Sequence, residues 1–142
     1  MDIEIILEPD LHPNQVAELA VAAEKYGVRA LLSSNYYQQW DAFLSLIPAA
    51  QQTSKILFGP LAVSPFEMHP LKVANALLTL NELSDGRAII AVGAGGGTLG
   101  AMKFACEQDS CSGLKPFRII RAIREAVEIL LSASEKKFNL KY

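Results

Sequence analysis

The sequence predicts an α/β fold built on a parallel sheet. Three observations carry that prediction. Ile56, Leu57, Phe58, Leu61, Ala62 and Val63 form a continuous apolar run, too short for a helix and closed by Ser64-Pro65, as suits a strand buried on both faces. Leu71, Val73, Ala74, Leu77, Leu78, Leu80 and Leu83 then recur at helical spacing behind Pro70, and Ala88 to Gly93 follows as a second buried strand, completing a βαβ unit. The order of strand followed by helix also occurs twice before this unit, and a helix closes the pattern after it, so the chain reads as four βα units.

Taken in order, Ile3 to Leu7 is the first strand, closed by Glu8-Pro9. Pro13 starts a helix, with His12 or Leu11 outside it; Val16, Leu19, Ala20 and Ala23 form its apolar stripe, and Tyr26-Gly27 ends it. Val28 to Leu32 is the second strand, followed by a loop over Ser33-Ser-Asn-Tyr-Tyr37. Asp41 caps or opens a second helix carrying Ala42, Phe43, Leu46, Ile47 and Ala50, which Pro48 should kink or divide. Pro70 occupies the first turn of the third helix, where a missing N–H costs nothing, and Asp85-Gly86 stops it. Residues 98–115 are polar, hold both cysteines and read as an irregular loop. Pro116 begins the last helix, with Phe117, Ile119, Ile120, Ile123, Ala126, Val127, Leu130 and Leu131 on a broad apolar face, and 133–142 is a tail. The expectation is one domain over 1–142. At this level two architectures stand side by side: a small doubly wound sheet, and four eighths of a (β/α)₈ barrel.

Composition narrows the function classes. Half the residues are hydrophobic (51%) and 20% are charged, which is a globular balance and not a disordered one. A net charge of −2 gives no basic field for nucleic acid. No apolar run approaches the roughly 20 residues that span a bilayer, and Met1-Asp-Ile-Glu lacks the basic start of a signal peptide. Cys106 and Cys111 match no zinc spacing, and His12 and His69 lie far apart, so neither a structural metal nor a disulfide is expected and a reducing cytoplasm is the expected location.

Gly95-Gly-Gly-Thr-Leu-Gly100 has the spacing of a phosphate-cradling glycine loop. A dinucleotide fingerprint belongs after the first strand, however, and this loop follows the fourth. It therefore reads either as a cradle of bare backbone N–H groups or as a plain connection. Asn35, Tyr36 and Trp40 lie in or just after the loop that follows the second strand, and by themselves read as an ordinary aromatic loop. His69 reads as a helix-entry residue or as a ligand-facing one. Arg87 is expected to tether the helix-to-strand turn through a carboxylate such as Glu82. Glu18, Glu24 and Lys25 are expected on solvated helix faces, and the cysteines as free thiols.

Specific segments resemble a known family. Ile56-Leu-Phe-Gly-Pro-Leu-Ala-Val-Ser-Pro-Phe-Glu-Met-His-Pro70, Asn81-Glu-Leu-Ser-Asp-Gly-Arg87 and Ala91-Val-Gly-Ala-Gly95 are similar to the bacterial luciferase-like monooxygenase superfamily, and within it to the deazaflavin-dependent branch that includes methylenetetrahydromethanopterin reductase. Ala22 to Gly27 and Pro116 to Leu131 fit the family's order as well. The likeness covers only the amino-terminal half of that family's barrel. It implies half of a (β/α)₈ TIM barrel, parallel strands with outer helices, and a site at the strands' carboxyl ends.

The resemblance further implies a deazaflavin coenzyme or FMN as cofactor and a small organic substrate, with hydride transfer or monooxygenation as the chemistry. Gly59, Pro60, Leu61, Ala62, Val63 and Ser64 would back the ring, with a non-proline cis peptide at Leu61-Ala62. Gly93, Gly95 and Gly96 would approach the coenzyme, while Asn35, Tyr36 and Trp40 would border the substrate. Two departures stand out. Where the branch often carries an Asp-His pair this chain reads Asn35-Tyr36, and where it often carries an arginine before the His-Pro dipeptide this chain has Met68. The missing second half would leave exposed strand edges and an open apolar face. Self-association, or pairing with a separately encoded second half, is the expected cover. A non-catalytic, truncated half-barrel acting as an assembly unit is the competing expectation.

Overall fold

The computed structural model describes residues 2–36, 38–95 and 116–134, with side chains in the last helix described over 119–133. The elements are β1 (Glu4–Leu7), α1 (Pro13–Lys25), β2 (Ala30–Ser34), a 3₁₀ turn (Leu44–Leu46) running into α2 (Ile47–Gln52), β3 (Leu57–Leu61), α3 (Pro70–Leu83) and α4 (Pro116–Ser134). They fall into two compact units, residues 1–62 with 76–91, and residues 63–75 with 92–142. Residues 96–115 and 135–142, including Gly96, Gly97, Cys106 and Cys111, lie outside the described residues.

In the first unit β1, β2 and β3 lie side by side in that order, all parallel. Glu4 to Leu7 pair with Ala30 to Ser33, and Ala30 to Ser34 with Leu57 to Leu61. β2 is buried along its whole length, as the central strand of a covered parallel sheet must be. Ala17 and Ala20 of α1 are fully buried, as is Ala49 of α2. These methyl-sized side chains let α1 and α2 pack against each other at close range. Leu31, Leu46, Ile56 and Phe58 fill the space beneath. Each contributes about 1.5–3 kcal/mol by leaving water.

The starts and stops of the helices follow the sequence. His12 precedes Pro13 and caps α1: the Asn14 N–H donates to its Nδ1 at 3.2 Å, and its own N–H donates to Gln15 Oε1 at 3.0 Å. At the other end Gly27 takes φ +74°, its N–H donates to Glu24 O, and the Val28 N–H donates to Ala23 O. That six-to-one closure spends Val28 on the helix end, so β2 begins at Ala30 instead of the expected Val28 and reaches Ser34. Ser33 and Ser34, read as loop from their polarity, are therefore buried strand residues. His69 caps α3 as His12 caps α1, its Nδ1 accepting the Leu71 N–H at 3.3 Å. Asp41 Oδ1 accepts the N–H groups of Phe43 and Leu44, and Pro48 divides the second helix by sitting at the start of α2.

The expected fourth strand is present only in part. Ile89 and Ala91 N–H groups donate to Phe58 O and Pro60 O, and Phe58 N–H donates to Arg87 O, so the segment runs parallel to β3. Regular pairing is reduced to isolated bridges, Phe58 to Ala88 in the first unit and Val63 to Val92 in the second. The reason is Pro60, which has no N–H to give to this neighbour and interrupts the ladder where a donor is due. In the second unit Gly93 N–H donates to Val63 O at 3.0 Å, and α4 buries Ala126. Arg121 and Glu125 form an exposed pair on its outer face at 2.7 Å. Among the described residues no helix is long and apolar enough to cross a membrane.

Two charged residues differ from expectation. Arg87 does tether its turn, but not through Glu82. Buried over the Phe58 ring at 4.9 Å, it gives its five N–H bonds to five neutral oxygens: Ser84 O, Thr53 Oγ1, Ile56 O, Ala50 O and Thr53 O. Three of these belong to the end of α2, where the last carbonyls lack helical partners and attract a cation.

Glu24 is not a free surface carboxylate either. It accepts from the N–H groups of Ser54, Lys55 and Ile56 and from Ser54 Oγ, clamping the entry of β3 to α1. Burial pushes this carboxyl up. The Ile56, Lys55 and Ser54 N–H bonds outweigh burial and hold it below the usual carboxylate range. A carboxyl lowered on folding stabilises the fold above its unfolded pKa and stops doing so as pH falls through the folded value. Glu24→Gln is therefore expected to lower stability at pH 7 by about 1 kcal/mol, allowing for solvent screening. The gap from wild type should close on acidification, as read from urea midpoints at neutral and acid pH.

Candidate functional site

The carboxyl ends of β2 and β3 meet in the first unit. β2 delivers Ser33 and Ser34, both buried, and then Asn35, which is partly buried. β3 ends at Leu61, and the Leu61-Ala62 peptide is cis, as the resemblance implies. Asn35 Nδ2 donates to Ala62 O at 3.3 Å. This bond joins residues 27 apart in sequence and fixes the backbone just beyond β3 to the end of β2. Leu61 and Ala62 are each partly exposed.

Gly59 and Pro60 stand further back, buried inside β3. Gly59 has its own structural reason: a Cβ there would overlap the Ile89 carbonyl oxygen and lie 2.7 Å from its carbonyl carbon. The bare backbone at Gly59 is thus already filled by the neighbouring segment.

Tyr36 is half exposed, and Trp40 likewise. Trp40 sits with the β1–α1 loop: its N–H donates to Pro9 O at 3.3 Å, and its ring is nearly perpendicular to that of His12. With Pro9, Asp10, Gln38, Gln39 and Asp41 it lines an open cleft. These six residues include two carboxylates and no cation, a lining that favours uncharged or cationic groups over anionic ones.

The second unit holds Val63, Ser64, Gly93 and Gly95. Ser64 is fully buried and its hydroxyl donates to Ala94 O at 3.1 Å while accepting the Phe66 N–H at 3.2 Å. The Ser64 N–H donates to Glu67 Oε2 at 3.2 Å. Gly95 takes φ +71°, and a Cβ there would lie 2.5 Å from Ser64 Cβ. Glycine is required at 95 both by that left-handed conformation and by the packing of Ser64 against it. Gly96, the remaining glycine of the expected set, lies outside the described residues.

The arrangement brings Asn35 to the cis peptide and Ser64 to Gly95. Both contacts, the burial of Ser33 and Ser34, and the packing of His12 against Trp40 are not legible in the sequence. Hydrophobic periodicity does not report on polar strand ends, and nothing local in the sequence marks a bond between two loops.

Comparisons with known proteins place this geometry. Residues 5–140 match the family model of luciferase-like monooxygenases. The chain is 32% identical over 146 residues to 5,10-methylenetetrahydromethanopterin reductase of Methanopyrus kandleri, covering 97% of this chain and 42% of that protein. An F420-dependent glucose-6-phosphate dehydrogenase of Nakamurella multipartita is 30% identical over 92 residues, covering 58% of this chain and 27% of that one. Among solved structures, the coenzyme F420 dependent tetrahydromethanopterin reductase of Methanopyrus kandleri superposes with a TM-score of 0.74 at 32% identity, over 87% of this chain and 38% of that one. The oxygenating constituent of 3,6-diketocamphane monooxygenase of Pseudomonas putida, solved with FMN, shares the fold at 24% identity and a TM-score of 0.71. The chain spans about two fifths of the length of the full-length reductases it matches. Of the two architectures open to the sequence, the barrel type holds: the parallel strands and their helices correspond to part of a (β/α)₈ barrel. With the match running over nearly its whole length, the chain belongs to the luciferase-like monooxygenase family.

Proposed function

We propose that the chain is a flavin- or deazaflavin-linked oxidoreductase module, acting on a small organic substrate. The observation that carries this reading is the family match over residues 5–140, joined to relatives whose names state dependence on F420 and a fold neighbour solved with FMN. When bound, such a coenzyme supplies the hydride or oxygen chemistry, and the protein supplies binding and orientation. In the first unit Leu61 and Ala62 back the ring, supported from behind by Gly59 and Pro60. Asn35 holds that backbone in place through Ala62 O. Asn35 and Tyr36 border the substrate together with Trp40. The carboxylate-bearing cleft beside Trp40 favours a substrate whose nearby end is uncharged or cationic. In the second unit Val63 and Ser64, both buried, keep the ring-backing role, and Gly93, Gly95 and Gly96 the coenzyme-approaching role, that the family resemblance gives them.

Completion by further chain is part of the proposal. The chain spans about two fifths of its full-length relatives, β1 lies at the edge of the described sheet, and Ile6 is exposed on it, as is Ile3 just before it. An uncovered edge strand with apolar side chains favours pairing with a second copy or a separately encoded second half. The same features support a second reading, a non-catalytic assembly unit of the same family.

Titration with FMN and with the deazaflavin coenzyme, followed by coenzyme fluorescence, separates the two readings. A saturable change with a Kd below about 1 mM, a binding free energy of roughly −4 kcal/mol, is the expected result for one of the two. No change with either coenzyme at that concentration leaves only the assembly reading.

A further inference from the structure

His12 makes two kinds of contact at once. Its Nδ1 accepts the Asn14 N–H and so caps α1. The same imidazole is nearly perpendicular to the Trp40 ring, with ring centroids 5.3 Å apart and planes at 81°. The cap does not require an imidazole, because serine or aspartate serves as well at that position. The ring contact does require an aromatic ring. Trp40 is the single tryptophan of the chain, it is half exposed, and the His12 ring is its aromatic partner among the described residues. Its backbone is fixed by the N–H bond to Pro9 O, but that bond leaves the two side-chain torsions free. Tilted aromatic pairs at this separation are attractive beyond the area they bury.

We propose that His12 is the positioning residue for Trp40, holding the indole as a wall of the cleft that Pro9, Asp10, Gln38, Gln39 and Asp41 complete. This role rests on the reading of Trp40 as a substrate-bordering residue. The contact itself is tested without any ligand, so failure of coenzyme binding and failure of this proposal are distinguishable. Capping and positioning separate in two variants. His12→Ser keeps a cap and loses the aromatic ring; His12→Phe keeps a ring and loses the cap acceptor.

Fluorescence of the lone tryptophan reads the outcome directly. In His12→Ser the thermal midpoint is expected to stay within about 2 °C of wild type, since the cap survives. Its acrylamide quenching constant should rise about two-fold, the low end of what an aromatic pair restrains. In His12→Phe the midpoint should fall by several degrees while quenching stays near the wild-type value. Wild type should also show nuclear Overhauser contacts between imidazole and indole protons, a reading that decides the matter even if a variant fails to fold. Wild-type quenching in His12→Ser, an equal rise in both variants, or no such contacts in wild type would each overturn the proposal.

Discussion

Arg87→Met is expected to cost about 3–5 kcal/mol of folding stability, because several buried acceptors lose their donors at once. The guanidinium is the shared partner of five neutral oxygens drawn from the end of α2, the entry to β3 and the end of α3. Methionine fills much of the volume and keeps contact with Phe58, but it leaves those oxygens buried without donors, each carrying a desolvation cost of about 1–3 kcal/mol where water cannot reach. Arg87→Lys is expected to recover only a minor part. A single ammonium cannot present five N–H groups in a planar fork across acceptors on three elements. Urea midpoints for wild type and both variants check this, with the order wild type, lysine, methionine.

Gly59→Ala is the second substitution with a large effect, at about 3 kcal/mol or more. The new methyl would overlap backbone, the Ile89 carbonyl, and not the end of a flexible side chain. No rotamer change relieves such an overlap, so β3 and the segment beside it must separate. The Ile89 to Phe58 and Ala91 to Pro60 hydrogen bonds lie on either side of the overlap and should lengthen with it. Faster amide exchange at Ile89 and Ala91, alongside the lost stability, distinguishes this local parting from a general loss of packing. Because β3 also ends at Leu61, weaker coenzyme binding should accompany the change.

How much of this was legible in the sequence depended on the range of the interaction. Helix starts were readable because Pro13 and Pro70 fix the first turn, and the end of α1 was readable because Gly27 tolerates the left-handed turn that closes it. The parallel sheet followed from apolar runs without alternation. The same rules misplaced β2 by two residues, since the closure of α1 consumes Val28 and apolarity alone cannot distinguish a capping residue from a strand residue. They overstated the fourth strand, although the cause, a proline in β3, was visible in the sequence. Charge roles failed most. In sequence Glu24 reads as solvated and Arg87 as carboxylate-bound, because a bond from a side chain to distant backbone leaves no mark on either segment. For the site, the resemblance located the cis peptide at Leu61-Ala62, whereas the clasp from Asn35 to Ala62 O appeared only in three dimensions.

The central claim is that the end of β3, held by Asn35, is the face on which a flavin or deazaflavin ring rests. Amide chemical-shift mapping of the isotopically labelled chain, titrated with each coenzyme in turn, tests it most directly. The account predicts saturable shifts at Leu61 and Ala62 and at the Asn35 side-chain amide with at least one coenzyme, and weaker shifts at the same positions in Asn35→Ala. Saturable binding whose shifts leave Asn35, Leu61 and Ala62 unmoved would contradict it.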